Sequence, residues 1–497
     1  MGSEDGASRL KTGIRGLDDV LMGGLPAHRL YLLQGEPGTG KTTAGMSFVL
    51  EGVRRGESCL YVSLSETLDE LAAMARSHGW SLQGLALYDM MAAEAAVHPD
   101  EENTLYVPAE VELGERMRRL LEEVDRVNPR RIVIDSCSEL RLLAQSQLRF
   151  RRQILALKDD LIRRGCTTIL LESLVSPSDA LLQSLVHGVI SLEQVTPIYG
   201  TSRRRLRVQK LREVAFRGGY HDFSIERGGI AVFPRIAAGE HRSDGHRGAA
   251  TSGVENLDEL LGGGLDYGTS TLVLGAAGSG KSVVATLYAT AAAARGEHVT
   301  MYCFDEGLRS LFDRSHALGM ELGGLVERGL LRVRQIDPAE LSPGEFADAL
   351  RADVEQHGVR MIVIDTLNGY LRAMPNEESL MAQLHELLSY LREQGVVTIL
   401  IGTQHGLVGP MTMPIDVSYL ADIVILMRFF EAEGRVRKAI SVLKKRTGRH
   451  EDTIREVWIG PRGIRVGEPL SEFRGVLTGI PSFDGDSAGS SLMGDEG

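Results

Sequence analysis

Two short runs have the residue types and spacing to cradle phosphate. Gly35, Gly38, Thr39, Gly40, Lys41 and Thr42 stand in GEPGTGKT, followed by Thr43. Gly275, Gly278, Ser279, Gly280, Lys281 and Ser282 stand in GAAGSGKS, followed by Val283. Both fit GxxxxGK[ST], in which glycines let backbone N–H groups turn inward around phosphates at a helix N-terminus. Lys41 and Lys281 are placed to reach the β- and γ-phosphates of a nucleoside triphosphate, and the Thr42 and Ser282 hydroxyls to ligate Mg²⁺. ATP and Mg²⁺ are the implied cofactors.

Acids stand where that chemistry needs them. Each loop is followed by an apolar run ending in aspartate, IVID at Asp135 and again at Asp365. Such a residue at a strand's C-terminal edge can hold the Mg²⁺ shell. A second acid lies 25 positions after each loop lysine: Glu66, preceded by Ser65, and Glu306, preceded by Asp305. Phosphoryl transfer needs a base or water-orienting group near the γ-phosphate, and these carboxylates can provide it. Lys210 with Arg212, and Lys444 with Arg446, end strand-like runs late in each half. They could stabilise charge developing on a phosphate, within the chain or on a neighbouring subunit. Arg203, Arg204, Arg205 and Arg207 read as a solvated or subunit-contact edge ahead of a nucleic-acid patch.

The elements that must position these groups occur twice. Thr12 to Thr42 reappears as Thr251 to Ser282, and the pairs Leu17-Asp18 with Leu257-Asp258, Gly23-Gly24 with Gly263-Gly264 and Lys41 with Lys281 each lie 240 positions apart. A period that long marks a duplicated domain rather than a solenoid. In each half short apolar runs (RLYLLQG, SCLYVSL, RIVIDS and TTILLES; then STLVLG, VTMYCF, MIVIDT and VTILIGT) alternate with helical stretches such as Glu115 to Val127 and Glu378 to Gln394. Strands apolar on both faces and separated by helices imply a parallel sheet covered on both sides. The predicted fold is α/β: two tandem RecA-like P-loop domains over 1–235 and 251–482, a linker over 236–250, and a disordered acidic tail over 483–497.

Composition sets limits on partners. Asp and Glu number 67 against 55 Lys and Arg, a formal charge of −12, so the surface as a whole should not attract nucleic acid. No apolar run reaches the ~18 residues of a membrane span, and the polar N-terminus does not read as a signal peptide. Cys59, Cys137, Cys166 and Cys303 form no CxxC pair and read as reduced core residues of a cytoplasmic protein.

The opening TGxxxLDxxLxGGL before each phosphate loop, the paired IVID strands and the trailing KxR runs resemble the KaiC family. Those are double-domain RecA-type ATPases and autokinases. The resemblance extends through YHDFSIERGGIAVFP and KKRTGRHEDTIREVWIGPRGIRVG, covering nearly the whole chain. It implies a double-ring homo-hexamer with ATP between subunits, an ATPase in the first ring and an autokinase in the second. Glu66 and Asp305-Glu306 then fall on the family's Glu-Glu pairs, and Lys210, Arg212, Lys444 and Arg446 on residues reaching the neighbour's nucleotide. The family's Ser-Thr phosphoacceptors fall on Ser418 and Tyr419, and clock-type or signalling proteins become expected partners. Three departures stand out: Ser65 replaces a glutamate, Asp305 is one methylene shorter, and Tyr419 replaces a threonine. Ser418 is left as the main acceptor. Two other classes stay open, a DNA-directed RecA-type motor and a nucleotide-gated scaffold with little turnover.

Overall fold

Runs of Leu, Val and Ile with no polar face can only be strands covered on both sides, and the structure uses them so. The computed structural model describes residues 8–90, 109–173, 180–196, 200–236, 248–372, 377–404, 417–461, 463–478 and 482–483. The chain divides into two compact units, Met1–Arg235 and Ile236–Gly497.

The first unit holds nine strands in one sheet: β1 (Leu30–Gly35), β2 (Cys59–Ser63), β3 (Ala86–Asp89), β4 (Arg131–Asp135), β5 (Thr167–Ser173), β6 (Gly188–Val195), β7 (Arg203–Leu211), β8 (His221–Glu226) and β9 (Gly229–Phe233). Their spatial order is β3-β2-β4-β5-β1-β6-β7-β8-β9. β3 through β6 in that order are parallel, and β7, β8 and β9 extend the sheet antiparallel.

The second unit repeats the arrangement with β10 (Ser270–Gly275), β11 (His298–Cys303), β12 (Leu331–Gln335), β13 (Val359–Asp365), β14 (Val397–Thr403), β15 (Ile423–Ala432), β16 (Arg435–Lys445), β17 (Ile454–Gly460) and β18 (Gly463–Pro469). Its order, β12-β11-β13-β14-β10-β15-β16-β17-β18, matches strand for strand.

Both faces of each sheet are packed. In the first unit Tyr31, Leu33, Tyr61, Val133, Ile169 and Leu171 face one apolar cluster, while Leu32, Leu60, Val62, Ile132, Ile134 and Leu170 face another. This alternation within continuously apolar strands is what parallel sheets require. Each fully buried Leu, Ile or Val contributes about 1.5–3 kcal/mol, so these two layers hold the strand edges that carry the polar residues.

The repeated opening has a structural purpose. Asp18 accepts from the Thr12 N–H at 2.9 Å and hydroxyl at 3.0 Å, and Asp258 accepts from the Ser252 N–H at 2.8 Å. Gly24 (φ +116°) and Gly264 (φ +118°) pass so close to a backbone carbonyl that a Cβ would lie 2.4 Å from Leu10 O and 2.5 Å from Ala250 O. No other residue fits there.

The second unit reaches into both ends of the segment read as linker. Ile236 is buried in its core, and Ala249–Ala250 pair with Leu265–Asp266. The centre of that segment, 237–247, and the tail from 484 onward lie outside the described residues. All four cysteines are buried and free. Among the described residues no helix is long and apolar enough to cross a membrane.

Candidate functional site

The parallel strands end at one edge of each sheet, and the phosphate loops lie there. In the first unit β1 runs into the loop, and helix α1 (Lys41–Arg54) starts directly after it at Gly40, whose φ is +100°. A Cβ on Gly40 would come within 2.7 Å of Ile225 Cδ1, and one on Gly280 within 2.3 Å of Ile459 Cδ1, so space as well as φ demands glycine. Helix α2 (Lys281–Ala294) starts the same way in the second unit. Lys41 Nζ donates to the carbonyls of Gly35 and Glu36, each at 2.9 Å, and Lys281 Nζ to that of Ala276 at 2.7 Å. Both ammonium groups are buried, which lowers their pKa; that of Lys281 is pushed down to about 8, with Asp365 opposing the shift.

Asp135 and Asp365 end β4 and β13, two strands from the loop strand. Thr42 Oγ1 donates to Asp135 Oδ2 at 2.8 Å, and Ser282 hydrogen-bonds Asp365. A hydroxyl and a carboxylate oxygen in contact beside a phosphate loop suit a hard cation that takes oxygen ligands. Burial raises the Asp365 pKa, with Ser282 and Arg314 acting against it.

The acids after β2 and β11 differ between the units. Glu66 is half-buried, and its pKa is raised by burial, by Asp135 and by Glu70. In the second unit both oxygens of Glu306 are occupied: Arg314 Nη2 lies 2.9 Å from Oε2, and Ser310 Oγ donates to Oε1 at 3.2 Å. Both partners stand on helix α3 (Leu308–Ala317), and their equivalents in the first unit, 240 positions earlier, are Met74 and Glu70. Asp305 Oδ2 accepts from Thr366 Oγ1 at 2.5 Å. The two loops, their aspartates and the three acids thus converge at one edge of each sheet.

The trailing cations do not join them within the unit. Lys210 pairs with Val189 at the start of β6, and Lys444 with Val424 at the start of β15, at the sheet edge opposite the loops. Lys210 Nζ donates to Gln183 O at 2.7 Å and Arg212 Nη2 to Ser184 O at 3.5 Å. Lys444 Nζ donates to the carbonyls of Ser418 and Ala421 at 3.0 and 2.7 Å, and Arg446 Nη2 to Tyr419 O at 3.0 Å. Ser418 and Tyr419 therefore occupy that far edge, in a turn before β15. Asp422 anchors the turn by accepting from Ser270 N and Oγ, each at 3.1 Å, and from Arg392 Nη2 at 3.0 Å. The arginine strand is tied up as well: Arg205 pairs with Glu193 at 2.9 Å, and both Arg205 and Arg207 lie over the Tyr220 ring.

Comparison with known proteins settles the family. A model of the KaiC ATPase matches residues 10–237 and 250–471. The chain belongs to the KaiC ATPase family. It is similar to the circadian clock protein KaiC3 of Synechocystis, 26% identical and covering 99% of this chain and 98% of that protein. It is likewise similar to the circadian clock oscillator protein KaiC of Synechococcus elongatus, 26% identical over 96% of this chain and 92% of the relative.

Within this KaiC-family chain the two units carry different surroundings at matched positions. Tyr61 donates to Asp135 Oδ2 at 2.7 Å, where the second unit has Met301. A buried polar row runs under the first loop: Glu172, Gln34 and Ser191 lie side by side on β5, β1 and β6, with Arg141 Nη2 2.6 Å from Glu172 Oε1. The second unit has Gly402, Leu274 and Leu426 in the same register. Sequence reasoning passed over Tyr61, Arg314, Glu172 and Gln34. The available signal was a polar residue closing an apolar strand (LLQG against LVLG), and an arginine two helical turns after Glu306.

The lowered pKa of Lys281 gives a test of whether its ammonium meets the phosphates of ATP. Phosphates beside the ammonium stabilise its charged form, so binding at pH about 8.5 should take up a fraction of a proton and binding at pH about 6.5 almost none. Calorimetry of Lys41→Ala protein in buffers of different ionisation heat reads this directly. Equal heats in all buffers at the higher pH would refute it.

Proposed function

We propose that the chain is a KaiC-type ATPase whose second unit is a serine autokinase, assembled as a homo-hexameric ring with ATP at subunit interfaces. Gly35 to Thr43 and Gly275 to Val283 would bind the phosphates, and Thr42 with Asp135, and Ser282 with Asp365, would hold Mg²⁺. The metal supplies neutralisation of charge on the phosphate oxygens. In the first unit Glu66 takes a proton from the attacking water. In the second, Asp305 takes the proton of a neighbour's Ser418 as its Oγ bonds the γ-phosphorus and the bond to ADP breaks. Asp305 has this part because both oxygens of Glu306 are already held by α3. A nucleotide-regulated hexamer of this kind would signal to clock-type protein partners through its phosphorylation state, since a phosphate adds roughly −2 charge beside Asp422.

The observation that carries the reading is the opposite-edge placement of loop and acceptor turn. At about 3.3 Å per residue, the six residues of β10 set the two edges roughly 17 Å apart. One unit cannot bring its own Ser418 to its own loop, but a ring sets one subunit's far edge against the next subunit's loops. Lys210, Arg212, Lys444 and Arg446, on that far edge, would then reach the neighbour's nucleotide.

The test is incubation with γ-labelled ATP and Mg²⁺, with mass followed by light scattering. Label should appear at Ser418, vanish in Ser418→Ala, and accompany a particle of about six times the 54.2 kDa chain mass. Hydrolysis with no label at Ser418 would remove the autokinase and leave an ATPase. Assembly without hydrolysis would favour a scaffold.

A further inference from the structure

Gln34 breaks a rule that the rest of its strand keeps. It sits on the central strand of a sheet covered on both faces, is 1% exposed, and immediately precedes Gly35 of the phosphate loop. A buried amide is unfavourable unless its hydrogen bonds are made. Leucine fills the equivalent place, Leu274, without difficulty. A polar residue that packing does not require points to function.

Its hydrogen bonds lead away from the loop towards Lys210. Gln34 Nε2 donates to Ser191 Oγ at 2.9 Å and to Gln209 Oε1 at 3.3 Å, and Gln183 Nε2 donates to Gln34 Oε1 at 3.1 Å. Lys210 Nζ in turn donates to the main-chain carbonyl of Gln183 at 2.7 Å. Gln209 is the extra residue of a bulge between Val208, opposite Ile190, and Lys210, opposite Val189. Gln34 thus meets Lys210 by two routes, through the backbone of Gln183 and through that of Gln209. In the second unit the bulge holds Leu443, and Leu426 replaces Ser191. Apolar side chains cannot form these links.

We infer that Gln34 is a positioning residue of the first unit's ATP reaction, joining the phosphate loop of one subunit to the Lys210 that serves the next. The inference rests on the reading of Lys210 as a cation that reaches the neighbour's nucleotide. The loop and Lys210 lie at opposite sheet edges, so the amide relay ties the cation's setting to the backbone just before Gly35. Among the described residues of the second unit, Leu274, Leu426 and Leu443 offer no such tie, and Lys444 Nζ donates to the carbonyls of Ser418 and Ala421.

A double-mutant cycle tests this in Lys281→Ala protein, where ATP turnover reports the first unit. Gln34→Leu, copying Leu274, should lower kcat about tenfold through misplacement of Lys210 and leave KM unchanged. Lys210→Met should lower kcat at least as much. The double variant should be no slower than Lys210→Met alone, because residues acting in one chain of contacts are not additive. If the two losses multiply, Gln34 acts independently of Lys210 and the relay is overturned. A Lys210→Met variant of normal kcat would instead sink the reading of Lys210, and the relay with it. Should Gln34→Leu fold poorly, Gln183→Ala, at the half-buried end, carries the same cycle. Thermal unfolding of each variant separates lost fold from lost positioning.

Discussion

Glu66→Gln should lower ATP hydrolysis by the first unit by about two to four powers of ten, the range expected for a lost general base. Ser65 stands where the family pattern has a second acid, and a serine hydroxyl near its ordinary pKa cannot take a proton from water. Glu66 is the carboxylate that remains of that pair. Burial, Asp135 and Glu70 raise its pKa, and a base of higher pKa pulls harder on a proton. The same shift has a cost on the acid side. The ionised form is lost as pH falls through a value above the ordinary glutamate range, so first-unit hydrolysis should decline at higher pH than an exposed carboxylate would dictate. Phosphate release in Lys281→Ala protein from pH about 5 to 9 gives both quantities. Ser65→Ala should leave the rate within about threefold, since its side chain is exposed and outside the proposed proton path. If Glu66→Gln keeps more than a tenth of the parent rate, Glu66 is not the base.

The parts legible in the sequence were those governed by local backbone constraint. A phosphate loop needs glycine where φ is positive, a strand before it and a helix after it, and the whole pattern is contiguous from Leu30 to Arg54. The eight apolar runs became strands because continuous apolarity has few other uses in runs that short. The helices expected from Glu115 to Val127 and from Glu378 to Gln394 are Ala109–Val127 and Glu377–Glu393.

The antiparallel part of each sheet was read only as a signature. RRRLRVQKL carries charges on both faces, and its pairing with β6 and β8 depends on residues far apart in sequence. Proximity across the fold was equally hidden. The arginine two turns after Glu306 is visible in the sequence, as is Met74 at the equivalent place after Glu66, but the contact of Arg314 with Glu306 is not. The amide row under the first loop was hidden for the same reason, since Gln34, Gln183, Ser191 and Gln209 meet only after β1, β6 and β7 lie side by side.

Mixing two inactive chains should restore phosphorylation, and the sheet geometry says why. Lys281→Ala chains keep Ser418 but lack a working loop in the second unit. Ser418→Ala chains keep the loop but have no acceptor. Each alone should incorporate essentially no label at position 418. The loop follows Gly275 at one end of β10, while Ser418 lies in the turn packed against Ser270 at the other end. Bending the turn around the sheet would mean breaking the contacts of Asp422 with Ser270 and Arg392, a buried charge stripped of partners at a cost of about 3 kcal/mol or more. Transfer from a neighbour needs none of this. In a randomly mixed one-to-one ring, about half of the Lys281→Ala chains face a competent neighbour on the required side. Label should therefore return to about a quarter of the parent level, all of it on Lys281→Ala chains when the two are distinguished by a mass tag. Rings that mix and still carry no label would exclude transfer between second-unit sites. Label on Lys281→Ala chains without a partner would place the donor loop in the first unit, at Lys41.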